Sequence, residues 1–122
     1  MDDLVQWLGK QLDEDERVAR GTGEEGRRGE PFRVFAGESG AGVIGPGVVE
    51  HIARHSPARV LREVDAKRQV LAIVQVHIDA AASTDYMLSG PAKMALVVLK
   101  PVVVALAMPY ADRPGYREEW RP

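Results

Sequence analysis

Apolar residues recur at three- and four-residue steps along much of this 122-residue chain, and those stripes predict its helices. Leu4, Val5, Leu8 and Leu12, extended by Val18, predict an amphipathic helix from Asp2 to Arg20. Asp2 and Asp3 suit its start, because carboxylates accept from the free N–H groups there and oppose the positive end of the helix dipole. Val60, Leu61, Val64, Leu71, Val74 and Ile78 form a second stripe and predict a helix over Pro57–Ala81. Ser56 is its expected N-cap, and Pro57 takes the first helical position, where a missing N–H costs nothing. A shorter helix, Val48 to His55, is expected just before it. Beyond a linker at 82–90, Pro91 marks the opening of a last helix. Its stretch Met94–Met108 is apolar almost all round, which implies burial. Its valines also suit a strand, so helix is the preferred of two readings there.

Glycine sets the remaining organisation. Nine of the twelve glycines fall between residues 21 and 47. Residues 21–31 read as a flexible Gly-rich loop. Phe32-Arg33-Val34-Phe35 alternates like a short strand, and Val43-Ile44 is its expected hairpin mate. Arg113-Pro114-Gly115-Tyr116 has the Pro-Gly pair of a type II turn, and Tyr110, Tyr116 and Trp120 are spaced to fold the tail, 109–122, back onto the body. The expected fold is a mainly α single domain, residues 1–122, of three to four helices with a small β-hairpin between helix 1 and helix 2.

Charge and composition narrow the function classes. Sixteen basic and eighteen acidic residues leave a formal net charge of -2, which does not favour a dedicated nucleic-acid or membrane-surface binder. The distribution is uneven: residues 1–30 carry nine acids and five bases, whereas 54–68 carry five bases and two acids. With no cysteine there is no disulfide and no Cys-based zinc site. The opening MDDLVQW is acidic where a signal peptide is basic, so a cytoplasmic location is expected. Lys93 and Lys100 interrupt the apolar last segment, and a Lys near a bilayer centre costs roughly 2.5–3.5 kcal/mol on insertion scales, so no membrane association is expected.

Three constellations invite chemistry. Gly40-Ala41-Gly42-Val43-Ile44-Gly45 matches the dinucleotide glycine pattern, with Asp65 twenty residues beyond it. Gly37-Glu38-Ser39 separates it from the preceding strand, and Asp65 falls inside a helix, so loop glycines are the better reading. His51 and His55 stand one helical turn apart, as a two-His metal pair would, but lack a defined third ligand. Arg54, Arg59, Arg62 and Arg68 resemble the basic face of a helix-turn-helix, although the i,i+4 pairs Arg59–Glu63 and Glu63–Lys67 neutralise part of it. Neither catalytic residues, nor a metal site, nor a cofactor follow from these patterns. The binding candidates are Arg54, His55, Arg59 and Arg62.

The blocks DDLVQWLGKQLDEDERVAR, HIARHSPARVLREVDAKR and LAMPYADRPGYREEWRP resemble a family of small proteins of unknown function from actinobacteria and their phages. The resemblance covers a little under half of the chain. It implies a short cytoplasmic protein, often near mobile elements, and supplies no functional residue. Relatives carry cysteine pairs that suggest a zinc knuckle, which 80–101 lacks here, and a Pro-Gly-Pro-Trp-like stretch that 21–30 also lacks. Ser56 stands where relatives have Asp, and both residues cap helices.

The expected function is a non-enzymatic protein-interaction or regulatory module. Its partner would be an unidentified protein or a second copy, in a homodimer through the apolar last helix. Two alternatives remain: a nucleic-acid-binding adaptor using the basic face of 54–68, and a small metal-dependent enzyme using His51 and His55.

Overall fold

The computed structural model describes residues 1–27 and 46–122 of the chain. Among the described residues four α-helices follow one another: α1 (Asp2–Arg27), α2 (Pro46–Arg54), α3 (Pro57–Ala81) and α4 (Tyr86–Ala107). Two 3₁₀ turns, Met108–Tyr110 and Glu118–Trp120, complete the tail. No strand occurs among the described residues, which corrects the expected fold class. Among the described residues the protein is mainly α and contains no β-hairpin. The segments expected to form it, 32–35 and 43–44, lie outside the described residues. The helices supply the apolar core.

The backbone divides into two compact units, one of Met1–Glu14 with Asp65–Pro122, the other of Asp15–Val64. In the first, α1 contributes Leu4, Val5, Leu8 and Leu12 to the interior, all at most 7% exposed. Leu71 and Val74 of α3 and Val103, Val104 and Ala107 of α4 are buried with them. Asp13 Oδ1 accepts from Arg68 Nη2 at 2.6 Å, linking α1 to α3. Lys67, expected to pair with Glu63, donates instead to Tyr110 Oη at 3.1 Å. Tyr110 is only 3% exposed, with the Lys67 ammonium 5.1 Å and the Arg113 guanidinium 4.7 Å from its ring centroid.

The tail closes over Trp7. Tyr116 N donates to Arg113 O at 3.3 Å, and Gly115 takes φ +85°, the left-handed value that a type II turn requires at its third position. That turn aims Pro114 O at Trp7, whose Nε1 donates to it at 3.1 Å. Trp7 also meets Tyr116 and Trp120, with ring centroids 5.5 and 5.4 Å away. Such tilted and edge-on contacts add about 0.5–1.5 kcal/mol per pair beyond burial.

In the second unit, α1 continues through Gly21 and Gly23 to Arg27, against the expectation of a loop from residue 21. Glycine costs a helix interior about 1 kcal/mol each but does not forbid it, since its N–H still bonds normally. Val18, expected in the apolar stripe, is 53% exposed, while Ala19 is buried. α2 begins at Pro46 and ends at Arg54, slightly earlier than expected at both ends. Arg59 N then donates to Ser56 Oγ at 3.4 Å, and α3 begins at Pro57.

Candidate interaction surface on the last helix

The surface is built on α4, and the start of that helix depends on its cap. The helix opens at Tyr86 rather than Pro91 because Asp85, in extended conformation, caps it: Asp85 Oδ1 accepts from Met87 N at 2.9 Å. Ser83 Oγ accepts from Asp85 N at 3.1 Å and fixes the cap itself. Pro91 and Pro101 both lie inside the helix. Each removes one bond to the carbonyl four residues earlier, on Met87 and Val97. Both prolines are exposed, as are Met87 and Val97.

α4 carries two apolar faces instead of one. Ser89, Ala92, Val103 and Ala107 mark the inner face, each at most 5% exposed. Directly opposite, Met87, Pro91, Met94, Val98, Pro101 and Ala105, followed by Met108 in the 3₁₀ turn just after the helix, succeed one another at strict four-three steps, and all seven are exposed. Met87, Met94 and Val98 keep 78%, 71% and 71% of their surface in solvent. Val97 and Val102 flank the stripe, also exposed. Lys93 and Lys100 share one helical line outside it, so no charge breaks the stripe. The expectation that an all-apolar helix is buried all round is therefore corrected: one side of it is covered and the other is bare.

The bare area is large. A Val, Leu or Met side chain holds roughly 100 Å² of apolar surface, so the outer face presents about 600–800 Å². An ordinary monomer's largest apolar patch is about 300–600 Å², and one side of a standard protein interface is about 800 Å². The stretch Tyr86–Tyr110 is also long and apolar enough, by length and composition, to cross a membrane, with 22% of its apolar 18-residue portion buried.

The binding residues expected from sequence sit elsewhere, at the corner between α2 and α3. Arg54 Nη2 is paired with Glu50 Oε1 one turn back. Arg59 Nε pairs with Glu63 Oε1 at 2.9 Å, and its Nη1 donates to Arg54 O at 2.9 Å, bracing the corner. Arg62 and His55 are exposed, and the His51 and His55 rings lie 4.4 Å apart, tilted by 47°. The fold thus brings Arg54, His55 and Arg59 together, but local acids neutralise both of those guanidinium groups. Among the described residues, no group of three His, Cys, Asp or Glu side chains is placed to hold a metal ion. Sequence reasoning names the apolar last helix as a homodimer seam but does not single out its outer face, because periodicity cannot say which half of an apolar helix faces inward. The four-three step through Met87, Met94 and Met108 is the signal that could have found it.

The chain belongs to the family of unknown function DUF6221, whose model matches residues 1–122. No curated protein and no solved structure matches it.

Proposed function

We propose that this protein is a non-enzymatic, cytoplasmic protein-interaction module whose working surface is the outer apolar face of α4. One observation carries the reading: seven residues at uninterrupted four-three steps, all apolar and all exposed, six on a helix whose opposite face is already committed to the core and the seventh, Met108, in the 3₁₀ turn just after it. Leaving about 600–800 Å² of apolar surface in water forfeits roughly 15–20 kcal/mol of transfer free energy at 25 cal/mol per Å². A second protein surface recovers part of that.

Lipid is the less favoured occupant. Lys93 and Lys100 would each cost roughly 2.5–3.5 kcal/mol near a bilayer centre. The inner face of α4 is also packed, in a unit that carries the exposed Asp13–Arg68 and Asp3–Arg117 ion pairs. The basic corner is a weaker candidate surface, because Arg54 and Arg59 already face Glu50 and Glu63.

The test is a photo-crosslinking side chain placed at Val98, with the same group at Lys93 as control, irradiated in producing cells. Protein adducts at 98 and few at 93 are expected. In parallel, the purified chain should remain in the dense fraction when phosphatidylcholine vesicles float. Flotation with the vesicles that Val98→Glu abolishes, or adducts to lipid alone, would overturn the reading.

A further inference from the structure

We infer that the occupant of the α4 face is the same face of a second copy, lying antiparallel, so that the chain forms a two-fold dimer. This rests on α4's outer face being a protein-docking surface and adds the identity and orientation of the partner.

A stripe repeating at four-three steps is the seam of two helices crossing at about 20°, each side chain seating between residues of the facing helix. It is self-complementary only if large positions meet small ones. An antiparallel pairing whose two-fold passes at the level of Leu99 and Lys100 sets Met94 opposite Ala105, Val98 opposite Pro101 and Pro91 opposite Met108. Each contact then occurs twice, as an isologous interface demands. Met94, the longest exposed side chain at mid-seam, meets the smallest seam residue, which is how interdigitated layers reach core density. A parallel pairing would stack methionine on methionine, proline on proline and Ala105 on Ala105, alternating crowded layers with a gap.

Charge and area agree with this arrangement. Lys93 and Lys100 stand on a line outside the seam, so neither lysine faces its symmetry mate across it. Antiparallel helices also place opposite dipole ends together. The bare face of about 600–800 Å² per copy approaches the 800 Å² that one partner buries in a stable complex.

The absence of cysteine makes the test clean. By light scattering at about 0.1 mM, where a micromolar Kd leaves most chains paired, the mass should be twice the 13.4 kDa of one chain. Val98→Glu should return it to one chain with unchanged helical circular dichroism. Single variants Met94→Cys and Ala105→Cys, mixed and oxidised, should give the mixed disulfide severalfold over either self-disulfide. A dominant Ala105→Cys self-disulfide would overturn the antiparallel pairing. A single-chain mass at that concentration would overturn the second copy as occupant. Protein adducts to a different chain at position 98 would then still uphold the docking face, so the two readings fail separately.

Discussion

Replacing Gly115 by alanine should unfold the first unit more easily than a change at a tail turn ordinarily would. Two costs meet at this residue. Its φ of +85° is open to glycine but strained for alanine by about 1–2 kcal/mol. The new Cβ would also lie 2.9 Å from Trp7 Nε1 and 3.2 Å from Trp7 Cδ1, closer than carbon packs against a ring. Trp7 cannot simply step aside. It is held by its bond to Pro114 O and by the Tyr116 and Trp120 rings, and losing that bond costs about 0.5–1.5 kcal/mol. The combined loss is about 1.5–3.5 kcal/mol, a large share of a typical domain's total of about 5–15 kcal/mol. Urea unfolding followed by tryptophan fluorescence measures it directly, because both tryptophans of the chain, Trp7 and Trp120, belong to this cluster. With an m value of about 1.5 kcal/mol/M, the midpoint should fall by roughly 1–2.3 M at unchanged m. A midpoint within about 0.3 M of the parent would refute both the strain and the contact.

Gly9 provides the opposite sign: it lies inside α1, and nothing stands within 4 Å of the place a Cβ would take, so Gly9→Ala should stabilise by about 0.5–1 kcal/mol, read as a raised urea midpoint. Asp85→Ala removes the acceptor for Met87 N and should cost about 1 kcal/mol, while Asp85→Asn, which keeps an acceptor, should stay close to the parent. Faster amide exchange confined to the first turn of α4 would show that the loss arises at the cap.

Several of these features are legible in the amino-acid pattern. Ser56-Pro57 marks the start of α3, and its stripe names Val64, Leu71 and Val74, all buried. Leu4, Val5, Leu8 and Leu12 are equally readable, because one polar side of α1 leaves no choice of inner face. The tail shows the limit of such reading: Pro114-Gly115 announces a turn, yet nothing local says that Trp7, 107 positions before Pro114, receives it. Pro91 misleads because proline favours a helix's first turn, whereas Ser83 and Asp85 offer the stronger start signal. Gly21 misleads in the same way, since glycine weakens a helix without ending it. The α4 surface is half legible. Its four-three step is written in the chain, but its exposure depends on how the other helices cover the opposite face.

The closure of the tail over Trp7 also sets a timetable for folding. The groups that meet Trp7 come from Pro114, Tyr116 and Trp120, the first of them 107 positions further along the chain. At about 5–20 residues per second of synthesis, the Trp7 side of α1 waits roughly 5–20 s for its cover. The first unit is therefore completed late, by joining segments made at widely separated times. The leucine stripe of α1 waits less long, because Leu71 and Val74 of α3, buried with it, are made before the tail; the Trp7 side is where any chaperone that shields nascent apolar helices has its longest opportunity.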